Sequence, residues 1–115
     1  MKNVITALVL MMMPGILLAQ SPVKKTETAT IQTSAICGEC KERIESAVYG
    51  LKGIKSAELN LEDSKLTVSY STSKVTAHEI KNAVSMVGYD ADEMPADETA
   101  YQKLPKCCQK DTPKH

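Results

Sequence analysis

The sequence has no tryptophan and no phenylalanine, and its four tyrosines are scattered. Bases of a single strand would find no aromatic platform to stack on. Nor is there an excess of either charge, since 14 basic side chains stand against 14 acidic ones. A basic field for nucleic acid or an anionic membrane is therefore missing, and no nucleic-acid partner is expected. Histidine occurs only twice, at His78 and His115. Long apolar runs are scarce too. The one that stands out, residues 4–13, is shorter than the roughly 20 residues that span a bilayer.

That run has the marks of a secretory signal peptide over residues 1–20. Lys2 precedes it, Pro14 and Gly15 break it, and Ala19 lies beside the expected cut near Gln20 or Ser21. The first cysteine is Cys37, too far along the chain for a lipoprotein anchor. A periplasmic or secreted protein is expected, with no membrane attachment after cleavage. Loss of Lys2 leaves the mature chain with one net negative charge. Residues 21–27 read as a flexible lead-in, and the rest suffices for one small domain.

Four cysteines are present, in two tight pairs, Cys37/Cys40 and Cys107/Cys108. Disulfide frameworks of exported domains space their cysteines out to staple distant segments. Close pairs suit thiol chemistry or metal ligation better.

The pattern between the pairs predicts an α+β domain. Residues 28–34 are rich in β-branched side chains and read as a strand. From Gly38 to Leu51, Cys40, Ile44, Ala47, Val48 and Leu51 recur at helical spacing, opposite Glu39, Glu42 and Glu45, and Gly50 and Gly53 follow as stop signals. Residues 54–61 and 65–70 alternate apolar and polar positions around a turn, as an antiparallel hairpin with one buried face. Ala77 to Val87 reads as a second amphipathic helix, capped by Thr76 or Ser73 and ended by Gly88. Residues 89–94 read as a short closing strand that Pro95 stops. The order βαββαβ predicts a ferredoxin-like sandwich, a four-stranded antiparallel sheet with two helices on one face.

Three chemistries compete for Cys37-Gly38-Glu39-Cys40. The spacing, between a strand and a helix, is that of a thiol–disulfide oxidoreductase. Against it, the chain continues into a hairpin where a thioredoxin-like fold needs a further crossover, and no proline lies between Pro22 and Pro95 to face the disulfide. Structural zinc needs four ligands, and His78 falls on the solvent side of the second helix. A soft ion such as copper(I) or mercury(II) is satisfied by two thiolates. Cys40 in the first helical turn sits where free N–H groups and the positive end of the helix dipole favour thiolate. Gly38 lets the loop turn and leaves the sulfurs accessible.

"CGEC" at 37–40, "GIKSAELNL" at 53–61, "KLTVSY" at 65–70 and "EIKNAVSMVGYDA" at 79–91 together resemble the heavy-metal-associated domain family, which includes copper chaperones, modules of copper-transporting ATPases and periplasmic mercury-binding proteins. The resemblance covers residues 28–94. It implies that Cys37 and Cys40 ligate the ion and that Tyr89 shields the sulfurs from the loop after the second helix. Ser34, Ala35 and Ile36 replace the Gly-Met-Thr usual before the first cysteine. Family spacing also favours Gln32 as the inward residue of the first strand, although Ile31 is more apolar.

Residues 95–115 form a polar tail beyond that resemblance. Cys107 and Cys108 are further candidate metal ligands there, with three roles open: adding sulfurs to the first site, forming a second site, or bridging to Cys37 or Cys40. Lys103 and Lys106 are expected to lower their pKa. The chain reads as a non-enzymatic carrier of copper(I) or mercury(II), with zinc(II) and cadmium(II) behind them. Its expected partner is a metal-transporting membrane protein or another metal acceptor. The alternative is a thiol–disulfide oxidoreductase using the same cysteines.

Overall fold

A computed structural model describes residues 25–110. The expected signal peptide, most of the lead-in and His115 lie outside those residues. Three strands and two principal helices follow in the order β1 (Thr26–Gln32), α1 (Gly38–Tyr49), β2 (Ile54–Asn60), β3 (Lys65–Ser71) and α2 (Ala77–Met86). A short helix α3 (Glu98–Gln102) and a 3-10 turn (Lys106–Cys108) follow. Among the described residues no helix is long and apolar enough to cross a membrane.

The sheet order is β1-β3-β2, and β3 runs antiparallel to both neighbours. Alternation along β3 sends Leu66, Val68 and Tyr70 inward. Ala57 and Leu59 of β2 and Ile31 of β1 join them. Ile31 is thus the inward residue of β1, and Gln32 is exposed. The β1–β3 register is unbroken, so the burial of Ile31 needs no bulge; the irregularity falls in β2, between Ile54 and Ser56.

The helices cover the inner face because their apolar residues recur every fourth position. Cys40, Ile44 and Val48 of α1 are buried, as are Ile80 and Val84 of α2. Thr76 caps α2 in a reciprocal box. Its Oγ1 accepts from the Glu79 N–H at 3.1 Å, and the Glu79 carboxylate accepts from the Thr76 N–H at 2.9 Å. His78 is exposed on this helix. Gly53 adopts a φ of +87° after α1, and a Cβ there would meet the Lys74 Cβ at 2.7 Å. That turn therefore demands glycine.

The fourth strand does not form among the described residues. Residues 89–94 make two isolated bridges, Ala91 to Thr33 and Ala91 to Met94, around a turn in which Asp92 has a φ of +53°. A left-handed residue interrupts the pleat. Asp92 instead closes the edge of β1: its N–H donates to the Gln32 carbonyl at 2.8 Å, and its Oδ1 accepts from the Gln32 N–H at 2.8 Å.

The tail packs back on the domain. Asp97 caps α3 by accepting from the Ala100 N–H at 3.0 Å. Leu104 is buried. Gly88, at a φ of +104°, admits the tail at close range: a Cβ there would lie 3.1 Å from both the Ala100 oxygen and Leu104 Cγ. Ser85 Oγ donates to the Pro95 carbonyl at 2.7 Å. Lys110 Nζ pairs with Asp90 at 2.8 Å, and the Lys110 N–H donates to the Tyr101 hydroxyl at 2.8 Å.

Candidate metal centre

Cys37 is the extended residue preceding α1, and Cys40 lies in its first turn. Their sulfurs are 3.3 Å apart. The tail carries Cys108 to 3.6 Å and Cys107 to 3.9 Å from the Cys37 sulfur. The sulfurs of Cys37, Cys40 and Cys108 all lie within 4.8 Å of one another. The two pairs thus meet at one place, and the second pair does not form a separate distant site. All four cysteines are free.

Burial is the main departure from the sequence reading. Cys37, Cys40 and Cys108 are 4%, 0% and 1% exposed. The accessible pair expected from Gly38 is instead buried, with the tail cysteines against Cys37. Only Cys107 is half-exposed, with its thiol 3.6 Å from Glu39 Oε1.

The segment before the pair is held by hydrogen bonds around a small residue. Ala35 is fully buried. Its N–H donates to Thr33 Oγ1 at 3.2 Å, and its carbonyl accepts from Ser64 Oγ at 2.6 Å. Ser34 Oγ accepts from the Asp90 N–H at 2.9 Å. Sequence reasoning missed Ser64, which looks like an ordinary turn residue in "EDSK". Its φ of +61° marks a turn shaped to reach this loop.

The sulfurs differ electrostatically. Burial pushes the Cys37 pKa up. The backbone N–H of Cys40, the sulfurs of Cys40 and Cys108 and the Glu39 N–H outweigh it, bringing the pKa down to about 7. Burial, then the Cys40 sulfur, drive Cys108 strongly upward. Cys107 is raised too, by desolvation and by the Cys37 sulfur. The expected lowering of this pair by Lys103 and Lys106 is therefore corrected: the crowded sulfurs and burial prevail. Clustered sulfurs of this kind are a donor set that a soft cation completes by displacing protons.

Tyr89 is fully buried, and its hydroxyl has no hydrogen-bond partner among the described residues. Burial, then the nearby Cys108 and Cys40 sulfurs, raise its pKa. An orphaned hydroxyl in a core is costly. In the reduced, metal-free protein, Tyr89→Phe is expected to raise stability by about 1 kcal/mol, read from urea denaturation. A clear loss would show that the hydroxyl has a partner in solution.

The model of the heavy-metal-associated domain matches residues 25–90. The copper chaperone CopZ of Staphylococcus aureus strain MRSA252 is 44% identical over 54 residues, which are 47% of this chain and 79% of that protein. A solved CopZ metallochaperone superposes with a TM-score of 0.55 at 35% identity, covering 56% of this chain and 98% of its own. The N-terminal domain of a potential copper-translocating P-type ATPase from Bacillus subtilis, in the Cu(I)-loaded state, gives a TM-score of 0.56 at 28% identity, covering 58% and 85%. The family match stops short of Cys107 and Cys108.

Proposed function

The chain belongs to the heavy-metal-associated domain family, and on that premise we propose that it is an exported, non-enzymatic carrier of a soft metal ion. Cys37 and Cys40 are its primary ligands. Copper(I) is the first choice, in keeping with the copper chaperones it is similar to, and mercury(II) is the second on the chemistry of the sulfurs. Zinc(II) and cadmium(II) rank behind, since zinc in a structural site takes four ligands. The acceptor is a metal-transporting membrane protein or another thiol-bearing protein.

The observation that carries this reading is the pair of sulfurs 3.3 Å apart at the start of α1. Delivery proceeds by ligand exchange. An acceptor thiol forms one metal–sulfur bond, losing its proton, as one bond to this chain breaks. The acceptor's proton ends on the departing cysteine, and the metal keeps its oxidation state. The oxidoreductase alternative gains nothing from the fold, because α1 leads into the β2–β3 hairpin and not into a further crossover.

Titration of the reduced protein with copper(I) against a chromogenic chelator tests the reading. One ion per chain should be retained, then surrendered to an isolated ATPase metal-binding domain on mixing. Failure to hold copper(I) or mercury(II) against the chelator would refute it.

A further inference from the structure

The tail does not merely lie near the cysteine pair; it delivers a sulfur into it. The Lys106–Cys108 turn is closed by the Cys108 N–H donating to the Pro105 carbonyl at 2.9 Å. Gln109 Nε2 donates to the Leu104 carbonyl at 3.3 Å. Leu104 under Gly88 and Lys110 on Asp90 hold the turn from either side. Cys108 is consequently as buried as the two cysteines it faces.

The spacing of the sulfurs selects a coordination number. With metal–sulfur bonds of about 2.3 Å, two sulfurs in line with the ion sit about 4.6 Å apart, whereas three in a trigonal plane sit about 4.0 Å apart. The observed separations of 3.3 Å and 3.6 Å need only tenths of an ångström to open to the trigonal figure. Opening to the linear one would take about 1 Å or more, a larger rearrangement of a close-packed interior. The buried Tyr89 hydroxyl makes no hydrogen bond of ordinary geometry among the described residues, and it borders the sulfurs of Cys108 and Cys40. Sulfurs gathered on an ion stay within its reach as acceptors.

We infer that Cys108 is a resident third ligand, so that the tail closes a trigonal three-sulfur site for a soft ion, with Cys107 left outside as the exchange thiol. This rests on the soft-metal reading above and adds retention to it. Cys107 is half-exposed and 3.9 Å from the sulfurs of both Cys37 and Cys108. From there it can form a bond to the ion as one core sulfur lets go, its proton passing to that sulfur with no change in metal oxidation state. A carrier with a third internal sulfur releases its ion more slowly than one with two.

The test is X-ray absorption on the reduced full chain loaded with one equivalent of copper(I), beside chelator competition. Wild type and Cys107→Ser should show three sulfurs. Cys108→Ser, and Cys108→Ala as a variant that buries no hydroxyl, should show two and lose at least about tenfold in retention. Circular dichroism of the metal-free variants checks folding. Cys107→Ser should keep its retention and slow its release. Two sulfurs in wild type, with binding intact, would overturn the third ligand alone. Three sulfurs in Cys108→Ala would overturn its assignment to Cys108. No binding by wild type would bring down the soft-metal reading as well.

Discussion

Cys37→Ser combined with Cys40→Ser is expected to lower retention of copper(I) by about four orders of magnitude in chelator competition. The size follows from ligand chemistry. Structural zinc held by four ligands gives roughly 10–16 kcal/mol, about 3 kcal/mol for each, so losing two removes roughly 6 kcal/mol. Serine keeps the shape but offers a hard oxygen that a soft ion does not favour. It also removes the Cys37 sulfur, whose pKa the site brings down to about 7. Wild-type retention in the double variant would remove both residues from the ligand set and leave Cys107 and Cys108 to explain binding.

Ile44→Ala is expected to destabilise the metal-free domain by about 3–4 kcal/mol. For a domain of this size that is a drop of roughly 20 °C in Tm. Ile44 is fully buried one turn beyond Cys40, on the stripe by which α1 meets the sheet. Truncation leaves a void bounded by residues that cannot all move in. Glu42→Ala, on the exposed side of the same helix, should stay within about 0.5 kcal/mol. Thermal unfolding followed by circular dichroism distinguishes the two. Similar small shifts for both would mean that the stripe of α1 is not the core.

The sequence made α1, the hairpin and α2 legible because each repeats its apolar residues at its own period. Thr76 was recognisable as a cap because Glu79 follows three residues on. The closing strand was misread. Gly-Tyr-Asp after α2 looked like the start of an extended edge. The aspartates there act as acceptors instead: Asp90 takes the Ala96 N–H at 2.9 Å, and Asp92 takes that of Gln32. The candidate site was half legible. Cys37 and Cys40 announce themselves by spacing, and Tyr89 enters through the family resemblance. Nothing local marks Cys108 as their neighbour, because no periodicity encodes a contact across so much chain. The burial of the pair was missed for a related reason, since the tail that packs against it lies far along the chain.

The contact between Cys37 and Cys108 joins residues 71 positions apart. Any bond bridging them, through an ion or as a disulfide, closes a loop that takes in almost the whole described domain. In the chain-entropy model a closure of that length disfavours the unfolded ensemble by about 4 kcal/mol. Cargo and fold are then thermodynamically linked: the bridged protein resists unfolding because its unfolded chain stays looped. The lifetime of a bound ion would report on the cohesion of the entire domain, and agents that loosen the tail would act on both at once.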